Sequence, residues 1–203
     1  MVNGAKVIAL TGQSGCGKST VARRVREWGW PVLDADRVAA SVLAENAACV
    51  AELVAAFGAD ILDENGALRR RLLADRAFTQ PGGQRRLTDI THPYIIRALL
   101  DGIEREAAAG ATCVFVDGAV IVGEPFEACC DAVLVVDAPR RQQIERLCVR
   151  DGITEQQARH RLNAQVSKKR LAAAACAVIR NDADPETLLR RTDAVLQRWK
   201  AAE

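Results

Sequence analysis

No stretch of this chain is hydrophobic for long enough to form a membrane span or a secretory leader, and its first apolar run, Val7-Ile8-Ala9-Leu10, has only the length of a strand. An excess of one charge is missing too. Lys and Arg number 28 against 26 Asp and Glu, a net charge of +2, so no global basic field argues for nucleic acid or a membrane surface. The seven cysteines (Cys16, Cys49, Cys113, Cys129, Cys130, Cys148 and Cys176) are odd in number, dispersed and without a Cys-x-x-Cys pair. That pattern argues against a disulfide framework or zinc site and fits reduced thiols in a cytosolic enzyme. There is no internal repeat, and no Asn-Lys-x-Asp guanine reader. These absences lead us to expect a cytoplasmic protein with a small-molecule partner. Its 203 residues suffice for one α/β domain with insertions.

What is present begins with Gly12-Gln13-Ser14-Gly15-Cys16-Gly17-Lys18-Ser19-Thr20, between the run Val7–Leu10 and a helical pattern from Val21. Strand, glycine-rich turn and helix stand in the order in which backbone N–H groups converge on a phosphate at a helix N-terminus. Lys18 would reach the β and γ phosphates, and the Ser19 hydroxyl would be a Mg²⁺ ligand. Cys16, near that helix N-terminus, is either a favoured thiolate or the occupant of a tolerant loop position.

Val32-Leu33-Asp34 reads as a second strand delivering Asp34-Ala35-Asp36 to its carboxyl end, the ligand edge of an open α/β sheet. One Ala-rich helix is expected from Arg37 to Phe57, closed by Gly58, then a turn at Asp63–Gly66 and a helix opening at Leu68. Thr91-His92-Pro93 reads as the start of a long helix ended by Gly110. Thr112–Asp117 and Ala132–Asp137 are buried strands, so strands alternate with helices and the sheet is expected to be parallel. Helices follow from Pro139 to Arg150 and from a cap at Thr154, then a weak strand, Ala177–Ile179, and a terminal helix from Asp184-Pro185 to about Lys200.

Several residues carry two readings. Asp36 either takes the proton of an acceptor hydroxyl or, like Asp34, caps the helix after it. Asp117 is either a partner for Ser19 or a metal-bound water, or a turn residue. Arg146 and Arg150, four apart on one helix face, either meet a transferring phosphoryl group from a movable segment or pair with Glu145 or Asp151. Lys168, Lys169 and Arg170 divide in the same way.

Nearly end to end, the chain resembles the dephospho-coenzyme A kinase family. The likeness rests on Leu10 through Thr20, Asp34-Ala35-Asp36 with Ala39, Leu68-x-Arg70-x-x-Leu73 with Phe78, and His92-Pro93-x-Ile95. It continues through Leu134–Asp137, Arg146-x-x-x-Arg150, Gln165 and Val178-Ile179-x-Asn181. It implies a P-loop nucleoside-triphosphate hydrolase fold in three parts: a nucleotide core (about 1–36, 111–139 and 177–203), a helical acceptor subdomain (about 37–110) and a lid (about 140–176). It also implies ATP, Mg²⁺ and the ribose 3′-hydroxyl of dephospho-coenzyme A as reactants, in a monomer or small homo-oligomer. Asp36 is then the base, and Lys18, Arg146 and Arg150 serve the transferring phosphate. Gly12, Ser14, Gly15, Cys16, Gly17, Ser19, Thr20 and Asn181 surround the nucleotide, while Arg70, His92 and Asp117 join Asp36 on the acceptor side. The chain departs from the family after Asp117, where a proline is missing and the acid appears one place late as Glu124. Cys176 stands where Asp is usual, and Arg170 falls one position early. The alternatives are a kinase of the same build for another nucleoside or nucleotide, and a nucleotide-binding regulator without transfer activity.

Side chains alternate along an extended segment, so Asp34 and Asp36 share a side, with Asp36 a step further towards the phosphate loop. Asp36→Asn should lower turnover by about 10²–10⁴-fold while ATP still binds, and Asp34→Asn should lower it less. Turnover of the two variants side by side, with ATP affinity as control, checks the assignment, and the opposite ranking would reverse it.

Overall fold

A computed structural model describes residues 1–2, 4–119 and 121–201. In chain order its elements are β1 (Lys6–Thr11), α1 (Lys18–Glu27), β2 (Val32–Asp34), α2 (Ala35–Glu45), α3 (Ala47–Phe57), α4 (Arg70–Thr79) and α5 (Gly83–Ala108). There follow β3 (Cys113–Asp117), β4 (Ala132–Asp137), α6 (Arg140–Asp151), α7 (Glu155–Ala164), α8 (Lys168–Ala174), β5 (Ala177–Arg180) and α9 (Pro185–Lys200). The chain divides into two compact units, one of Met1–Asp34 with Ile103–Glu203, the other of Ala35–Gly102.

The first unit holds a five-stranded parallel sheet in the order β2-β3-β1-β4-β5. β1 is central, and Val7 to Thr11 are all buried, as a strand covered on both faces requires. Register sets Leu10 opposite Asp117 and Leu134, and Asp34 opposite Asp117, so strand-ending carboxylates gather along one edge. Beneath that edge, Ile8, Leu10, Phe115, Leu134 and Val136 pack with Val21 and Val25 of α1 and Leu188 and Leu196 of α9. All three tryptophans belong to this core. Trp30 and Trp199 flank Phe115 with ring centroids 5.8 and 6.0 Å away, and Trp28 stacks on Trp30. α6 and α7 bury a smaller apolar seam of Ile144, Leu147, Ala158 and Leu162. A full capping box starts α7, with Thr154 and Gln157 bonding each other's backbone N–H, as the sequence predicts.

The second unit is helical and has its own core of Val42, Cys49, Leu53, Phe57, Ile61, Leu73 and Ala77. Three expectations change here. The single helix from Arg37 to Phe57 is two, because the Asn46 side chain accepts from the Cys49 N–H and caps α3. The helix expected to open at Leu68 opens at Arg70, since Leu68 pairs in an isolated bridge with Leu62. Pro93 does not start a helix but sits inside α5. An interior proline costs about 3 kcal/mol. Leu87 and Ile90 before it, and Tyr94, Ile95 and Ala98 after it, all pack on the same core. Burying a side chain such as Leu or Ile gains roughly 1.5–3 kcal/mol, so packing on both sides of the proline outweighs the local signal.

No single helix among the described residues is long and apolar enough to cross a membrane. α2 and α3 pass that test only as a pair, bent by 76°, and α3 turns Cys49, Leu53 and Phe57 into the core.

Phe115 is fully buried between two tryptophans, so Phe115→Ala should destabilise the protein by about 3–5 kcal/mol. Urea unfolding followed by tryptophan fluorescence measures this. A loss under about 1 kcal/mol would mean that the aromatic stack is not a principal part of the core.

Candidate active site: the phosphate loop and the groups around it

Between β1 and α1 the backbone reverses at the carboxyl edge of the sheet. Gly17 caps α1 in a left-handed conformation (φ 97°, ψ 17°), which only glycine adopts without strain. Gly15 (φ 75°) lies so near α6 that a Cβ would stand 2.8 Å from the Gln143 carbonyl oxygen. Side chains then fix the direction of each peptide. The Ser14 carbonyl accepts from Gln143 Nε2 (3.0 Å), the Gly15 carbonyl from Arg146 Nη1 (3.1 Å) and the Cys16 carbonyl from Asn181 Nδ2 (2.8 Å). Three successive carbonyls are thus tied into the protein, while of the loop's N–H groups that of Cys16 donates to the Gln13 carbonyl (3.1 Å) and that of Ser14 to a side chain.

Ser14 has a further partner. Its N–H donates to Gln165 Oε1 and its Oγ accepts from Gln165 Nε2, both at 2.9 Å. In the other direction, Gln13 Nε2 donates to the carbonyls of Val166 (3.0 Å) and Leu162 (3.4 Å), at the end of α7. Among the described residues, the buried side-chain oxygens without a hydrogen-bond partner are Thr11 Oγ1, Gln13 Oε1 and Gln143 Oε1. All belong to the loop or to residues packed on it.

Charge at the edge is paired. Lys18 Nζ bonds the Asp117 carboxylate, so the structure gives Asp117 a lysine partner rather than the Ser19 contact expected from sequence. Lys168 Nζ bonds Asp137 Oδ1 (2.7 Å) and the Ala138 carbonyl, which decides its reading in favour of an ion pair at the end of β4. Ser19 is exposed in the first turn of α1, followed by half-buried Thr20. Neither reading of Cys16 holds. It is buried in the core, and loss of hydration pushes its thiol up to about 11 despite the Lys18 N–H and charge beside it.

The sequence-predicted residues of the first unit divide. The loop from Gly12 to Thr20, Asp117, Arg146 and Asn181 come together, with Asn181 serving the loop's backbone through Cys16. Arg150 does not join them. It bonds Asp151, which Arg161 also holds, and the two guanidinium groups pull that carboxyl down to about 2. In the second unit, α2 starts at Ala35 rather than Arg37, so Asp36 is exposed in its first turn and not on the extended segment expected, and strand alternation does not govern its side; Arg70 starts α4 and donates to the Ala40 carbonyl (2.8 Å), and His92 is half-buried in α5.

Two departures from the family pattern meet in space. The Arg170 guanidinium lies where a side chain at Gly123 would stand, so the early arginine and the altered turn after Asp117 accommodate one another. Val120 of that turn lies outside the described residues. Exposed Cys176 donates its N–H to the Val133 carbonyl at the start of β5. Sequence reasoning missed Gln13 and Gln143. The signal for Gln143 was a polar residue at an apolar position, since it precedes Leu147 by four on the buried face of α6.

The sequence profile of the dephospho-CoA kinase family matches residues 6–186. A dephospho-CoA kinase of Anaeromyxobacter dehalogenans is 41% identical over 191 residues, covering 94% of this chain and 90% of that protein. The crystal structure of TT1252 from Thermus thermophilus is similar with a TM-score of 0.81 at 32% identity, covering 96% and 97% of the two chains. A dephospho-CoA kinase from Campylobacter jejuni, 22% identical, shares the fold with a TM-score of 0.74 over 100% and 99%.

Alkylation follows the thiolate, so near neutral pH the native protein should be labelled at exposed Cys176 well before Cys16. Labelling of Cys16 should accelerate only as pH approaches about 11, where its thiol loses the proton. Peptide mass spectrometry after timed iodoacetamide treatment checks this, and equal rates at the two thiols near neutral pH would show Cys16 to be accessible and ionised.

Proposed function

The chain belongs to the dephospho-CoA kinase family, and on that premise we propose that it transfers the γ phosphate of ATP to the ribose 3′-hydroxyl of dephospho-coenzyme A, giving coenzyme A and ADP. The observation that carries this reading is the loop Gly12–Thr20, its carbonyls tied back by Gln143, Arg146 and Asn181 at the carboxyl edge of a parallel sheet. Its N–H groups and the start of α1 receive the phosphates. Lys18 exchanges Asp117 for the β and γ phosphate oxygens. Asp36 takes the proton of the acceptor hydroxyl as that oxygen bonds to the γ phosphorus, and the bond to the β–γ bridging oxygen breaks to release ADP. Arg146, already at the Gly15 carbonyl, faces the charge on the transferring group. Arg150 serves it only by leaving Asp151.

Arg70 and His92 bind the acceptor, and residues 140–176 form the lid. Magnesium is usually held by one or two protein oxygens and the substrate's phosphates. Ser19 Oγ would hold it, and when bound the ion neutralises phosphate charge. Seven free thiols support a reducing, cytoplasmic setting.

Incubation with ATP, Mg²⁺ and dephospho-coenzyme A should produce ADP and coenzyme A, and Lys18→Ala should lower turnover by about 10²-fold or more with the circular dichroism spectrum unchanged. A regulator would bind ATP and form no ADP. Near-normal turnover in Lys18→Ala would refute the assigned role of the loop.

A further inference from the structure

Two glutamines clasp the loop and the lid from opposite sides. Gln165 stands just past the last residue of α7, where it engages both the N–H and the hydroxyl of Ser14. Gln13, one residue earlier in the loop, donates to the carbonyls of Leu162 and Val166, on either side of the same helix end. The Leu162 carbonyl is among those that a helix terminus leaves without an internal partner, and Val166 lies just past it. Each partner therefore satisfies backbone groups of the other, and Gln13 is only 6% exposed. The oxygens Gln13 Oε1 and Gln143 Oε1 are buried without a hydrogen-bond partner, so the contact is not saturated and has acceptors for a donor brought by lid movement.

We propose that this reciprocal carboxamide clasp makes Gln165 and Gln13 positioning residues for phosphoryl transfer: it ties the end of α7 to the phosphate loop, so that occupancy of the loop sets the placement of the lid. The proposal rests on the kinase reading above. Neither glutamine bears a charge for the phosphates, and both act through Ser14 and the helix end. The loop keeps its other supports when either is lost, since Asn181 still holds the Cys16 carbonyl and Gly17 still caps α1. Ground-state nucleotide binding should then survive. Gln143 and Arg146 of α6 keep their own bonds to the loop, so the groups that should lose their register against it are those beyond α7, such as Lys168.

The experiment compares wild type, Gln165→Ala, Gln13→Ala and the double variant. Misplacement of about 1 Å costs up to roughly 10²-fold, so each single change should lower kcat by about ten- to a hundredfold. The dissociation constant for ADP should change by less than about threefold, because a transition-state interaction is lost rather than a ground-state one. The double variant should be little worse than either single one, as expected for two halves of one contact. Multiplicative effects, an unchanged kcat, or equal losses in ADP binding and kcat would each overturn the proposal. Hydrogen exchange over residues 155–174, with and without ADP, reads the coupling without reference to the acceptor. The change that ADP induces in wild type should be absent from Gln165→Ala. No change in wild type, or the same change in both proteins, would overturn the clasp. Were wild type to turn over no dephospho-coenzyme A, the kinase reading would fall, while the exchange comparison would still decide this one.

Discussion

Three consecutive peptides, those after Ser14, Gly15 and Cys16, have their carbonyl oxygens drawn into the protein by Gln143, Arg146 and Asn181. A neutral hydrogen bond contributes about 0.5–1.5 kcal/mol and one from a charged donor about 1.5–3. More consequential than the sum is the direction. The carbonyls are turned into the protein beside the carboxyl edge, where α1 begins and its dipole favours an anion. The three donors come from α6 and from just beyond β5, so the loop's form depends on chain 120 and more residues away in sequence.

The same edge concentrates carboxylates, because β2, β3 and β4 all end in aspartate and parallel strands end together. Asp117 and Asp137 would repel an incoming polyphosphate were they bare. Each instead neutralises a lysine, Lys18 on the loop and Lys168 at the start of α8. The Lys18 ammonium thus stands at the phosphate loop with its charge balanced by Asp117. The pair is partly buried, with side-chain exposures of 20% and 14%, which limits screening by solvent.

Much was legible along the chain. β4 and α9 begin and end where the strand run and the Asp184-Pro185 cap place them, and the Thr154 capping box forms as its spacing predicts. These features are local: run length, a cap three residues from its partner, a proline at a first turn. The misread elements lie where a distant contact competes with a local signal. Pro93 looks like a helix start until Leu87 and Ile90 are seen on the same core as Tyr94 and Ile95. Asn46 was one polar residue in an Ala-rich pattern until its side chain took the Cys49 N–H.

Glycines, lysine and hydroxyl at fixed intervals between a strand and a helix mark a phosphate loop from the sequence alone. The side chains that hold that loop are brought to it by the fold. Gln13, Gln143 and Gln165 carry no charge and follow no spacing rule, and they become partners because a parallel sheet sets the end of β1 beside α6 and the end of α7. The tertiary structure also gave Lys18 its aspartate, tied Arg150 to Asp151 and buried the Cys16 thiol. Hydrogen bonds and desolvation act over a few ångströms of space, whatever the distance along the chain.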